Sequence, residues 1–120
     1  MPKILVVDDD DNMRRLIRTI LARRGHDVVE AGSGAEGLTR FEEVRPDLVV
    51  TDMLMPGGGG LDLLGELCRR DLPVKALIVS GKRVQLDGEL SALQQQGAIA
   101  CMGKPFTPAE LAESVRHLIG

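Results

Sequence analysis

Five short apolar runs recur along the chain: Ile4–Val7, Val28–Ala31, Leu48–Val50, Ala76–Val79 and Ala98–Met102. Several are β-branched and unbroken. A strand with one wet face alternates apolar and polar side chains, because successive side chains point to opposite faces. An unbroken run instead predicts a strand covered on both faces, as in a parallel sheet. Between the runs the period changes. Met13, Leu16, Ile17, Ile20 and Leu21 follow the i, i+3, i+4, i+7, i+8 spacing of one helical stripe, and Leu61, Leu64, Leu67 and Cys68 do the same.

The ends of these segments carry their own signals. Ser33 followed by Glu36 is a capping box, with the Ser33 hydroxyl placed to accept from the Glu36 amide. Thr107 followed by Glu110 is another, with Pro108 at the first helical position. Gly25 and Gly97 stand where helices should end, and Pro46 and Pro73 precede strands and forbid helix continuation. Strand and helix therefore alternate five times. Parallel neighbours need right-handed crossovers, so the pattern predicts an α/β fold with a five-stranded doubly wound sheet and five helices. At about 100–200 residues per domain, residues 1–120 make one domain. Gly57 to Gly60 form a loop between the third strand and the third helix.

Composition narrows the function. The net charge is −3, without the basic footprint of a nucleic-acid binder. Aromatic residues are 2% of the chain, Phe41 and Phe106, so the core must be aliphatic and base-stacking platforms are excluded. No apolar run reaches the roughly 18–20 residues that span a bilayer, and the charged start is not that of a signal peptide. These features predict a cytoplasmic protein without membrane insertion. Cys68 and Cys101 match no metal motif and are expected as small buried hydrophobes.

In an open α/β sheet, ligands sit beyond the carboxyl ends of the strands. Here the first strand delivers Asp8 and Asp9, the third Asp52, the fourth Ser80 and the fifth Lys104. Two like charges 4 Å apart repel by about 4 kcal/mol at an effective dielectric of 20. A divalent cation or a strongly raised pKa would relieve this. All-oxygen ligation is the Mg2+ pattern, and zinc is disfavoured because neither His nor Cys joins the cluster. A metal beside an ammonium and a hydroxyl is a phosphoryl site, and a carboxylate can itself be the nucleophile. Asp10 and Asp11 are read as helix N-terminal residues.

These pieces together resemble the receiver domain of bacterial two-component response regulators, over essentially the whole chain. The matching segments are Lys3 to Asp9, Asp52 to Pro56, Ile78 to Gly81 and Lys104 to Phe106, all in order. The resemblance, to a chemotaxis-regulator-like receiver, implies a flavodoxin-like (βα)5 fold with strand order 2-1-3-4-5. It implies that Asp52 accepts a phosphoryl group from a phosphohistidine of a sensor histidine kinase or phosphotransfer protein. Asp9, Asp52 and the backbone carbonyl of Leu54 would bind Mg2+, with Asp8 helping through water. Ser80 would follow the phosphoryl group and Lys104 would pair with it, oriented by a cis bond to Pro105. A downstream protein or fused output domain would dock on the face of the fourth helix, fifth strand and fifth helix. No output domain is expected within the chain, and it is not a turnover enzyme, although the site assists its own phosphorylation and hydrolysis.

The chain departs from the family at three places. Cys101 holds the switch position where an aromatic ring is usual. Gly58 and Gly59 replace an apolar and an acidic residue. The interval from Ser80 to Lys104 is slightly long, with the excess assigned to Lys82–Gly88. Lys82 and Leu54 hold positions that influence phosphoryl lifetime in the family. His26 and His117 are read as structural, and Met53 and Met55 as packing residues. Arg14, Arg15, Arg18, Arg23 and Arg24 are read as a solvated face, with kinase docking as the alternative the family implies.

Two other readings compete. Asp8, Asp9 and Asp10 also satisfy the opening motif of haloacid-dehalogenase-type phosphatases, with Asp8 as nucleophile. That family needs a further acidic pair, whereas Glu110 and Glu113 lie on a helix, and the chain is short for it. A pseudo-receiver that only docks partners is the third reading; the intact acidic set and Lys104 argue against it. The glycine run supplies a test at this level. Glycine loses the most backbone freedom on ordering, so backbone amides in the loop between the third strand and the third helix should exchange rapidly in the unphosphorylated protein. Strong protection there by hydrogen exchange would contradict it.

Overall fold

The computed structural model describes residues 2–53, 59–72, 75–81, 86 and 88–119. Strands and helices alternate as the hydrophobic pattern predicts: β1 (Lys3–Val7), α1 (Asp11–Arg23), β2 (Asp27–Ala31), α2 (Gly34–Val44), β3 (Leu48–Asp52), α3 (Gly60–Arg69), β4 (Ala76–Ser80), α4 (Gly88–Gln95), β5 (Ile99–Gly103) and α5 (Pro108–Ile119). All neighbouring strands pair in parallel, in the order β2-β1-β3-β4-β5. This is the doubly wound, flavodoxin-like sheet.

Burial explains why the runs differ. β1, β3 and β4 lie in the middle of the sheet, and their apolar residues are buried on both faces. β2 and β5 are edge strands and are only partly covered. Alternate residues of β1 feed two aliphatic layers. Leu5 and Val7 pack with Phe41, Leu64 and Leu67 beneath α2 and α3. Ile4 and Val6 pack with Ile17, Leu21, Leu111 and Val115 beneath α1 and α5. α4 contributes no fully buried residue; Leu90 and Leu93 rest partly covered on the first layer.

The helix ends follow their sequence signals. Asp10 caps α1, accepting from the amides of Asn12 at 2.9 Å and Met13 at 3.3 Å. The Ser33 hydroxyl accepts from the Glu36 amide at 3.1 Å. Thr107 and Glu110 close a reciprocal box at 2.9 and 3.1 Å. Gly25 and Gly97 take left-handed backbone, with φ of +87° and +80°. The turn at Gly97 also shortens the fifth strand. The Ala98 amide donates to the Leu93 carbonyl at 2.9 Å, so β5 begins at Ile99 rather than at Ala98.

Three expectations are corrected. Leu16 is 48% exposed, so the buried stripe of α1 is Ile17, Ile20 and Leu21, narrower than the apolar spacing suggests. Cys68 is half-buried and Cys101 exposed, so the cysteines are not both core residues. Arg14 is mostly covered rather than solvated. Met53 packs against the first layer as expected. Met55, Pro73, Gly57 and Gly58, and Lys82 in the long segment before α4, lie outside the described residues. The narrowed stripe gives a paired test by chemical denaturation. Ile17→Ala should cost about 2–4 kcal/mol as a cavity in the core. Leu16→Ala should stay within about 0.5 kcal/mol. Equal losses at the two positions would mean the helix faces the sheet differently.

Candidate functional site

The site lies where the sheet delivers its carboxyl ends. β1 runs into Asp8 and Asp9, β3 ends on Asp52, β4 ends on Ser80, and β5 leads through Gly103 to Lys104. One carboxylate oxygen from each of Asp8, Asp9 and Asp52 lies within 4.8 Å of the others. Lys104 Nζ stands 3.5 Å from Asp52 Oδ2 and 4.0 Å from Asp8 Oδ2. Ser80 is buried, and its carbonyl accepts from the Lys104 amide at 2.9 Å, which registers the last two strand ends. The peptide bond from Lys104 to Pro105 is cis. The structure thus brings together Asp8, Asp9, Asp52, Ser80 and Lys104, the residues the sequence assigns to the site. Leu54, expected to offer its carbonyl, lies outside the described residues.

The three aspartates differ in environment. Asp8 is 2% exposed, Asp52 is partly covered and Asp9 is open to solvent. Burial pushes the Asp8 carboxyl above its ordinary range; the Asp10 amide at 2.9 Å and Lys104 pull against this, and the charges of Asp52 and Asp9 add to the rise. Asp52 Oδ1 accepts from the Met53 amide at 2.7 Å, and its other oxygen faces Lys104. Among the described residues, one ammonium therefore stands against three carboxylates. A hard divalent cation such as Mg2+ fits this all-oxygen set, of which one member is buried and resists ionisation without a counter-charge.

Three supporting residues escaped the sequence reading. Gly60 opens α3 directly against the end of β3. A Cβ there would overlap the Asp52 carbonyl oxygen and stand 2.7 Å from Thr51 Oγ1. The Gly60 amide donates to the Met53 carbonyl at 3.1 Å, so this close approach fixes the backbone on both sides of Asp52. Thr51 is buried, and its hydroxyl donates to the Asp52 carbonyl at 3.0 Å. Arg14 is the third: its Nη1 donates to the Asp8 carbonyl at 2.9 Å. Only the glycine had a local signal, as the last of a run of four.

Three further residues singled out in the sequence lie outside the cluster. Cys101 sits on β5 opposite Ile78, and Gln94 Nε2 approaches its sulfur at 3.9 Å. His117 lies in the last turn of α5, with Nε2 3.0 Å from Glu113 Oε1. His26 lies between α1 and β2.

Comparison with known proteins agrees with this geometry. The family model for the response regulator receiver domain matches residues 4–116. The chain is 37% identical over 114 residues to the DNA-binding response regulator MtrA of Mycolicibacterium smegmatis, covering 95% of this chain and 49% of that protein. It is 34% identical over 117 residues to the alkaline phosphatase synthesis transcriptional regulatory protein PhoP of Bacillus subtilis, covering 98% and 48%. The chain thus spans about half the length of these relatives. Among solved structures, a CheY-like receiver domain protein from Methanospirillum hungatei superposes with a TM-score of 0.83 at 25% identity, covering 98% of this chain and 94% of that one. A receiver domain protein from Clostridium thermocellum gives 0.81 at 31%, covering 99% and 94%.

The buried carboxylate is testable without reference to any relative. An aspartate whose folded pKa lies above its unfolded value releases its proton later in the folded state. Stability therefore falls as pH rises from the unfolded pKa to the folded one, and stays lower beyond. Asp8→Asn keeps an oxygen to accept from the Asp10 amide and removes the charge. In chelator at pH 7 the variant should melt above the wild type, with the gap closing as pH falls below the ordinary carboxylate range. A variant that melts at or below the wild type at pH 7 would contradict the assigned environment.

Proposed function

The chain belongs to the response regulator receiver family, and from that membership we propose that Asp52 is the phosphoacceptor of this two-component receiver domain. An Asp52 oxygen attacks the phosphorus of a phosphohistidine on a sensor histidine kinase or phosphotransfer protein. The O–P bond forms as the P–N bond breaks, and the electron pair leaves with the imidazole nitrogen. Lys104 pairs with the transferred group, and the Ser80 hydroxyl donates to it. Asp9, Asp52 and the Leu54 carbonyl would hold Mg2+, with Asp8 acting through water; the ion would supply neutralisation of phosphoryl charge. The observation that supports this most is the 3.5 Å approach of Lys104 to Asp52 beside two further carboxylates. It provides a cationic partner for a phosphoryl group carried on Asp52.

Residues 1–120 act as one receiver unit whose phosphorylated state is read by a downstream protein or fused output domain on the face of α4, β5 and α5, with Cys101 at the switch position. The DNA binding named for the MtrA relative belongs to a protein about twice this span. With a net charge of −3, this unit contacts no nucleic acid itself. Among the described residues no helix is long and apolar enough to cross a membrane. The unit self-assists phosphorylation and hydrolysis but is not a turnover enzyme. The dehalogenase-type reading is not favoured: its nucleophile would be Asp8, which is buried and engaged by the Asp10 amide.

Phosphorylation with acetyl phosphate and Mg2+, followed by borohydride trapping, should label Asp52. Asp52→Asn should abolish the label, and Lys104→Ala should slow labelling by about 100-fold, the usual loss for a transition-state charge partner. Label on Asp8 would instead point to the phosphatase reading. Failure of beryllofluoride to bind with Mg2+, followed by NMR, would point to a docking module.

A further inference from the structure

We infer that Arg14 is a positioning residue for the acidic cluster, holding the peptide that joins Asp8 to Asp9 in the orientation that brings their carboxylates together. The inference rests on the reading of that cluster as a Mg2+ site. Arg14 lies on the first turn of α1, in a stretch where charged side chains usually face water. Its side chain is nevertheless only 16% exposed, against 56% for Arg18 one turn on. The guanidinium meets three acceptors from three parts of the fold. Nη1 donates to the Asp8 carbonyl at 2.9 Å, Nε to Glu30 Oε1 at 3.1 Å, and Nη2 to Asp11 Oδ1 at 2.7 Å. The rigid fork of an arginine can serve separate acceptors at once, which the single ammonium of a lysine cannot do with the same geometry.

The Asp8 carbonyl belongs to the same planar peptide as the Asp9 amide. Fixing its oxygen therefore fixes the direction in which Asp9 leaves the strand. Asp8 is held at each of its other polar groups too. Its amide donates to the Ala31 carbonyl at 3.1 Å, and its carboxylate accepts from Asp10. Glu30 precedes Ala31 at the end of β2, so Arg14 closes a ring from β2 through α1 to the end of β1. It makes no contact with the carboxylate oxygens of Asp8, Asp9 or Asp52 among the hydrogen bonds and ion pairs described. Its influence on the ion acts through the backbone.

Two accounts of Arg14 predict opposite signs. If its charge alone mattered, removing a cation from beside the site would tighten Mg2+ binding. If it positions the ligands, removal weakens binding, as loss of an outer-shell partner does in other metal sites. Mg2+ titrations by calorimetry and by amide NMR shifts, on the full chain, separate the two. Arg14→Ala should bind about tenfold more weakly than wild type. Arg14→Lys keeps the charge and should also bind several-fold more weakly. Arg18→Ala, which loses an exposed partner of the same Glu30, should stay within about twofold because exposed charges are screened. Arg14→Ala binding as tightly as wild type or tighter would overturn the inference. Should that variant fail to fold, wild-type affinity in Arg14→Lys would overturn it equally. A wild-type chain that takes up no Mg2+ would overturn the site reading itself, and this inference with it.

Discussion

Three carboxylates must be kept within 4.8 Å of one another, and the rest of the structure is arranged around that requirement. At an effective dielectric of 20, each such pair at 4 Å opposes folding by about 4 kcal/mol. A loop would let them drift apart. Strands do not, because Val7 and Thr51 face each other in the β1–β3 register and carry Asp8 and Asp52 with them. That register is anchored in turn by Ile4, Leu5, Val6, Val49 and Val50, buried in two aliphatic layers. At roughly 1.5–3 kcal/mol for each fully buried aliphatic side chain, a handful of them outweighs the repulsion. The acidic site is affordable because the strands beneath it are apolar on both faces.

The same reasoning explains which parts of the site were legible in the sequence. A central strand declares itself by an unbroken apolar run, and the residue after the run is then at the sheet's working edge. Asp8, Asp9, Asp52, Ser80 and Lys104 were found that way. Supporting residues carry no such address. Helical spacing groups Arg14 with other arginines of α1, and nothing local says that its side chain folds back to Glu30 and the Asp8 carbonyl. Gly60 reads as part of a loop, because its reason for being glycine is a close approach to the Asp52 backbone. Leu16 erred the other way. Its spacing fits the stripe, but α1 turns a narrower face to the sheet than apolar periodicity implies.

The scarcity of aromatic residues takes on a more particular meaning in this setting. Phe41 is buried beneath α2, and Phe106, next to the cis bond, packs on the layer shared with α5. Neither stands on β5, where Cys101 occupies the proposed switch position on an edge strand. A thiol there has no ring to fill or vacate a cavity.

What the edge offers instead is weak packing. α4 has no fully buried residue and rests on Leu90 and Leu93, whereas α3 beside it buries Leu63, Leu64 and Leu67. Elements with few buried apolar contacts open at the lowest free-energy cost. Asp52 thus stands on the well-packed centre of the sheet, and the proposed output face stands on its loosest flank. Lys104 joins the two: its amide donates to the Ser80 carbonyl at the end of β4, while its ammonium faces Asp52. A charge change at Asp52 acts on Lys104 through space, and Lys104 is covalently continuous with β5. Under the proposed function, coupling through that strand would need no aromatic switch, only a flank loose enough to follow it.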